Sequence, residues 1–262
     1  YAKSKAKITS SQKFKRFSSM KHNSIMITRS FFSTEPMPCP YLPDRMERRV
    51  ITELIGRDAL QLHNRLSAVG FRRSHNIAYS PACPECQACK AVRVVVKDFI
   101  LSRSQIRIMK KNKELLVEKV SLKATPEQYE LFLSYQVERH KDGDMSKMAF
   151  RDYQSLIEET PVNSELIEFR LADLTLIAVC LLDKVDNGLS AVYSFYQPSL
   201  SYRSLGTYMI LWLAENARIL KLDFVYLGFW IDGCDKMSYK AKFQPLEVWT
   251  LDGWRLLLSC NS

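Results

Sequence analysis

Three stretches of this sequence place chemically useful side chains at suggestive spacing. In Arg203-Ser204-Leu205-Gly206-Thr207, a cation, a hydroxyl and a glycine stand just before a helical pattern. Glycine lets backbone approach a ligand closely, and helix N-terminal N–H groups favour an anion. Arg203, Ser204 and Gly206 therefore make a candidate phosphate site, although the same residues suit a plain helix cap. The second stretch, 226–245, carries Tyr226, Trp230 and Tyr239, aromatic surfaces with polar tips. Lys236 and Lys240 are four residues apart, on one face of a short helix over 236–243. Such a wall can stack a base and neutralise a phosphate or carboxylate, or pack as an ordinary amphipathic helix. The third stretch is Cys83-x-x-Cys86-x-x-Cys89, with Cys39 in Pro38-Cys39-Pro40 as a fourth thiol. The Cys83–Cys89 run lacks the fourth Cys-Pro of a bacterial ferredoxin. Zinc or an iron–sulfur cluster, reduced structural thiols, and a redox switch are all compatible with it.

Around these stretches the pattern predicts a mixed α/β protein. Residues 57–70 read as a helix with Leu62, Leu66 and Val69 on one face and Gly70 at its C-terminal cap. Residues 71–74 and 90–96 read as short strands flanking the cysteine loop. A helix over 102–115 gathers Arg103, Arg107, Lys110 and Lys111 on one face, opposite Ile106 and Met109. This stripe is either a solvated face or a track for phosphates. Thr125, Pro126 and Gln128 form a helix start with a capping box. A shorter helix over 148–160 turns Phe150, Tyr153 and Ile157 inward. From 165 onward the character changes to hairpin strands, with a turn at Asp173 and a hairpin signal at Asp186-Asn187-Gly188. An amphipathic helix from Thr207 to Leu220 follows, with Met209, Ile210, Leu213, Ala217 and Leu220 on its buried face. A strand over 223–229, the short helix and a strand near 246–251 then close the chain. The order β-β-β-α-β-α-β is a mixed sheet rather than a doubly wound nucleotide-binding fold.

Composition narrows the classes. The chain has 262 residues, enough for one large or two small domains, and 47% are hydrophobic. The longest apolar run, 174–182, suits a buried strand and is far too short for a membrane span. The net charge of +10 misleads, because residues 1–34 hold eight Lys or Arg and no acid. The remainder has 30 basic and 28 acidic residues, so bulk charge does not argue for nucleic-acid binding, and any RNA contact must be local. The Ser-rich basic leader over 1–30 has the composition of a mitochondrial transit peptide, a disordered tail, or sequence upstream of a start at Met20 or Met26. Seven cysteines, an odd count, fit a reducing compartment better than a secreted disulfide framework.

The strand–Arg-x-x-Gly–helix–strand order resembles the N-acetyltransferase fold, in which a pyrophosphate sits on this helix and the sheet splays to form a cleft. A wider resemblance runs from about Phe31 to Leu256. It is carried in order by FFSTEPMPCPYLPDRMERRV, GFRRSHNIAYSPACPECQACKAVRV, SRSQIRIMKKN, NGLSAVYSFY, RSLGTYMIL and VYLGFWIDGCDKMSYKAKFQPLE. On these blocks the chain resembles the bacterial aspartate/glutamate leucyltransferases, relatives of the arginyl-tRNA–protein transferases. The chain departs from the family pattern at Ser80, where relatives often carry Arg, and at Cys234, where Ser is common.

The resemblance implies an N-terminal cysteine-containing domain over 31–120 and a C-terminal acetyltransferase-like domain over 121–262. It implies a cytoplasmic enzyme of the N-degron pathway that moves leucine from leucyl-tRNA to the α-amine of proteins beginning with Asp or Glu. The ester is already activated, so no cofactor and no protein nucleophile is required for the transfer. Positioning and oxyanion stabilisation should dominate. In this picture Arg203, Ser204 and Gly206 hold the tRNA 3′ end, and Arg103, Arg107 and Lys111 meet acceptor-stem phosphates. Tyr226, Tyr239 and Lys240 are the catalytic candidates, with Trp230 and Lys236 lining the substrate pocket. Arg72, Arg73 and Lys240 are candidate readers of the acidic side chain. Cys39, Cys83, Cys86 and Cys89 could hold zinc or an iron–sulfur cluster, as related eukaryotic transferases do. The rivals are an arginyl-tRNA donor, acetyl-CoA as acyl donor, and a non-enzymatic RNA-binding adaptor.

Overall fold

A computed structural model describes residues 29–139 and 143–257. The expected leader lies outside the described residues apart from Arg29 and Ser30. In chain order the strands are β1 (Phe32–Ser33), β2 (Met37–Pro38), β3 (Met46–Glu47), β4 (Arg49–Glu53), β5 (Arg72–Ser74), β6 (Ile77–Pro81) and β7 (Lys90–Val95). Then come β8 (Leu116–Val120), β9 (Ser164–Arg170), β10 (Leu176–Val185), β11 (Gly188–Tyr196), β12 (Phe224–Trp230), β13 (Leu246–Thr250) and β14 (Gly253–Leu256). The helices are α1 (Ala59–Ala68), α2 (Arg103–Lys111), α3 (Pro126–Arg139), α4 (Phe150–Glu158), α5 (Leu205–Ile219) and α6 (Asp235–Ser238).

The main sheet runs β14-β13-β7-β12-β11-β10-β9-β8. Between β11 and β9 lies β10, whose unbroken apolar run is buried on both faces. One face packs on α5, where Leu205, Met209, Leu213 and Ala217 meet Val92, Ala178 and Leu182. The other face packs on α3 and α4, where Phe132, Tyr153 and Ile157 meet Val179, Leu181 and Phe195. The capping signals expected for α3 are present: Gln128 N–H donates to Thr125 Oγ1, and Thr125 N–H donates to Gln128 Oε1. The hairpin at Asp186-Asn187 pairs Val185 with Gly188. A smaller sheet, β1-β4-β6-β5, packs on α1 through Leu54, Leu62, Leu66 and Ala78.

Strands from both sides of residue 120 share the main sheet: β7 is inserted between β12 and β13, and β8 closes the far edge. Several expectations need correction. Seven strands were not legible as such: β1, β4 and β6 of the small sheet, the pair β2 and β3, and the two edge strands of the main sheet, β8 and β14. The helix expected over 102–115 ends at Lys111, with Ile108 and Met109 against the core and Ile106 exposed. Val69 and Leu220, expected to be inward, are exposed helix-end residues. The helix over 236–243 is a single turn, α6, continued by a 3-10 turn over Tyr239–Lys242.

One junction positions the candidate site. β11 and β12 are parallel neighbours, and they pair only through Gly188–Phe224, Leu189–Val225 and Ser190–Tyr226. At the start of β11, a side chain on Gly188 would come within 2.5 Å of the Phe224 carbonyl oxygen, so a glycine is what lets the strands meet. Beyond Ser190 they diverge, and a bulge between Tyr226 and Gly228 bends β12 further. The splay expected of an acetyltransferase-like sheet is therefore present, with α5 leading from one strand to the other.

Candidate active site

The divergence leaves the Ala191 and Val192 carbonyls of β11 without partners on β12. Arg72 of β5 fills the gap: its Nη2 donates to Ala191 O at 2.8 Å and to Val192 O at 3.0 Å. The guanidinium lies directly on Gly228, whose φ is +77°. A Cβ at that position would fall 1.3 Å from Arg72 Nη1, so the close approach requires glycine.

Beside this wedge lies Lys240, whose side chain is folded back into the protein and 8% exposed. Its Nζ donates to the Phe229 carbonyl of β12. Burial first, and the neighbouring Arg72 cation second, push its pKa down to about 7, against a smaller opposing pull from Cys234. Near neutrality Lys240 is therefore divided between ammonium and free amine. Tyr239 stands next to it and stays partly exposed. Burial and the nearby Tyr196 raise its phenol pKa, while Arg72 opposes this, so Tyr239 remains a proton donor. Tyr196, at the end of β11, makes an edge contact with Tyr135 and accepts from Arg139 Nη2 at 3.2 Å. Gly206, in the first turn of α5, comes so close to this tyrosine that a Cβ would sit 3.1 Å from its ring. The cleft thus runs from Tyr196 and the start of α5 to Arg72, Tyr239 and Lys240.

Next to Phe229 of β12 a cavity of about 660 Å³ opens, lined by residues of both sheets. Arg45, Arg49, Glu47, Tyr41, Tyr79 and Phe229 line it, together with all four candidate ligand cysteines. Arg49 pairs with Glu47 at 2.6 Å and lies over the Tyr79 ring. Tyr79 in turn packs on Phe229, the residue whose carbonyl holds Lys240. Burial, with Cys39, Cys83, Cys86 and Glu47 nearby, pushes the Cys89 thiol up to about 11. That protonated thiol is a poor nucleophile. Cys83 Sγ accepts the Arg48 N–H at 3.4 Å and donates to the Arg48 carbonyl at 3.6 Å. Among the described residues no three histidine, cysteine or carboxylate side chains form a closed ligand shell.

Other sequence candidates fall elsewhere. Tyr226 is buried away from the cleft, donating to Asn187 Oδ1 and accepting from Arg93, with its ring on Phe224 and Trp254. Arg73 is buried and doubly bonded to Asp183, at 2.7 and 2.8 Å, so its fork is unavailable to an acceptor. Arg203 is likewise engaged, donating to Glu114 at 2.8 Å, the Lys111 carbonyl and Asn112 Oδ1. Ser204 adopts a left-handed conformation and its hydroxyl does not cap α5. Lys236 is exposed and does not share the burial of Lys240. Trp230 packs against the core with its indole N–H buried and unpaired among the described residues. Arg103 and Arg107 are exposed on α2, and Lys111 donates to the Tyr202 carbonyl. Arg45, Arg49, Tyr79, Tyr135 and Tyr196 were not singled out by sequence. Only the Arg-rich run 45–49, read beside Cys39, carried any signal for them.

Comparison with known proteins bears on this arrangement. Residues 37–107 match the family model described as arginine-tRNA-protein transferase, N terminus, and residues 127–250 match its C-terminus counterpart. An aspartate/glutamate leucyltransferase of Paramagnetospirillum magneticum is 52% identical over 86% of this chain and 92% of its own length. Those of Gluconacetobacter diazotrophicus and Rhodospirillum rubrum are 50% and 48% identical, each over 86% of this chain and over 86% and 92% of their own lengths. With both family models matched in order and half of all aligned residues shared, the chain belongs to the arginine-tRNA-protein transferase family.

Proposed function

We propose that this protein transfers leucine from leucyl-tRNA to the α-amine of proteins that begin with Asp or Glu, as an enzyme of the N-degron pathway in the cytosol. The donor assignment rests on relatives named aspartate/glutamate leucyltransferase at about half identity over nearly their whole length. No helix among the described residues is long and apolar enough to cross a membrane.

The observation that carries the chemistry is Lys240, a buried amine with a pKa near 7 at the mouth of a split sheet. The acceptor α-amine has an ordinary pKa of about 8 and arrives largely as ammonium. Lys240 takes one of its protons, and the amine nitrogen attacks the ester carbonyl carbon. The tetrahedral oxyanion is met by the Tyr239 hydroxyl, which its surroundings keep protonated. As the carbon–oxygen ester bond breaks, the proton on Lys240 passes to the departing ribose oxygen, and the freed Lys240 amine takes the second proton from the attacking nitrogen and releases it to solvent. The products are a new peptide bond and free tRNA, with no covalent enzyme intermediate. The rings of Tyr196 and Tyr239 stack the terminal adenosine, next to the uncapped N–H groups of α5. The acidic side chain of the acceptor enters the cavity and exchanges with Glu47 for Arg49, which presents a planar fork for a carboxylate. Labelled leucyl- and arginyl-tRNA offered with Asp-, Glu- and Asn-initiated peptides test both assignments. Transfer from arginyl-tRNA alone overturns the donor. An Arg49→Ala variant that keeps its preference for Asp over Asn overturns the reader.

The cysteine cluster enters this proposal as a structural element. Cys39, Cys83, Cys86 and Cys89 line one cavity, and four thiols are the donor type that a zinc ion or an iron–sulfur cluster takes, once the loops draw them into a closed shell. Bound there, it would staple the loop over 80–90 to the segment around Cys39 and supply no step of the transfer. Metal content of anaerobically purified protein checks this. A fully active preparation without metal overturns it.

A further inference from the structure

We propose that Arg72 is a positioning residue: it wedges the sheet open beside Lys240 and acts on transfer through that lysine, rather than by touching the acceptor's carboxylate. This rests on Lys240 being the proton acceptor of the reaction.

The geometry is specific. A split between parallel strands exposes backbone carbonyls to the interior, and a buried carbonyl without a donor is costly. Arg72 answers this cost for Ala191 and Val192 with a single Nη2. Its planar group is fixed from below by Gly228, where no side chain fits. The strand that carries Gly228 also carries Phe229, whose carbonyl holds Lys240 Nζ. One guanidinium therefore sets both the width of the split and the charge environment of the amine. Around Lys240 stand Arg72 from β5, Cys234 from the turn before α6, and the Tyr239 ring, 5.9 Å from Nζ. Arg72 is the charged neighbour that disfavours the protonated amine; Cys234 pulls the other way. With Nη2 committed to backbone, the bidentate fork that a carboxylate reader needs is not free.

A reader and a wedge predict different data. Single-turnover transfer from leucyl-tRNA to Asp- and Gln-initiated peptides is followed between pH 5.5 and 9.5 for wild type, Arg72→Gln and Arg72→Lys. In parallel, the Lys240 ε-CH2 resonance, assigned with Lys240→Met, is titrated by NMR without substrates. For Arg72→Gln, the rising limb of the rate and the NMR midpoint both move to higher pH by about one unit or more. The Asp-to-Gln preference stays within about twofold of wild type. Arg72→Lys keeps the cation but cannot replace the fork on two carbonyls. Its midpoint stays nearer to wild type while its plateau rate falls. An unmoved NMR midpoint in Arg72→Gln overturns the proposal, as does loss of the Asp-to-Gln preference with both limbs in place. If wild type fails to use leucyl-tRNA at any pH, the transferase reading fails, and the substrate-free titration still decides the role of Arg72. If Arg72→Gln does not fold, Arg72→Lys decides: a midpoint matching wild type with an unchanged plateau rate sinks the wedge.

Discussion

The residue with most leverage in this molecule is Lys240. Its environment works against its charge: the side chain is buried, a cation lies beside it, and among the described residues its bonded partner is a neutral carbonyl. A lysine chosen for stability would not be placed there. The sign of its effect on folding follows from the shift. The unfolded chain holds the proton up to the ordinary lysine value of 10.5, and the folded chain releases it near 7. Between those values the unfolded state binds more protons, so stability rises with pH across the window and is penalised below it. Lys240→Met should therefore raise the melting temperature at pH 7 and below and flatten the rise toward pH 10. The same change should lower the transfer rate by about 100-fold or more, the range typical for loss of a general base. Thermal unfolding at pH 6, 7.5 and 9, set beside single-turnover rates, checks both halves. A stabilised variant with undiminished transfer would remove Lys240 from the mechanism.

At the scale of elements, α2 and α5 show what sequence pattern can and cannot convey. The pattern placed both helices correctly in the chain, and the run of cations on α2 is exposed as expected. It could not show that the C-terminus of α2 and the turn before α5 meet. There Arg203 is spent on Glu114, Asn112 and the Lys111 carbonyl. Arg203 and Glu114 are 89 residues apart, and no local periodicity encodes such a pairing. Tyr226 failed for a related reason. Strand alternation tells which residues share a face, but which neighbour covers that face depends on β7 arriving from the first half of the chain. The glycines were informative once the fold was known: Gly188 and Gly228 mark where strands meet and where Arg72 enters. The two sets of cations should then behave differently. Arg103→Ala with Arg107→Ala should weaken tRNA binding and reduce the slope of log K against log salt by about 2, one per lost phosphate contact. Arg203→Ala should instead lower the melting temperature and leave that slope within error. Filter binding over 50–250 mM salt separates these, and an equal change of slope in both would make Arg203 a phosphate ligand after all.

At the scale of the whole molecule, the small sheet and the large sheet are joined by a buried charge pair. Arg73 of β5 grips Asp183 of β10 through Nε and Nη2, and Ser164 Oγ donates to the same carboxylate at 2.6 Å. His63 of α1 lies 3.4 Å from Asp183, and burial lowers its pKa despite that carboxylate. The neighbour of Arg73 in sequence is the wedge at the active site, so the anchor of one arginine fixes the strand that presents the other. Removing one charge strands its partner in the interior, which costs about 3–5 kcal/mol. Asp183→Asn should show that loss in urea unfolding, and its transfer rate should fall even where the protein remains folded, because β5 no longer holds Arg72 in register. Replacing both ends with apolar groups, Arg73→Met with Asp183→Leu, removes the stranded charge and should recover most of the stability. Acid should act on the same joint. Below pH 6.5 the unfolded chain protonates His63 before the folded chain does, so stability falls as pH drops through that window. His63→Phe should flatten that part of the profile. If Asp183→Asn instead unfolds at the wild-type urea concentration, the pair is ornamental, and the register of β5 must come from the small sheet alone.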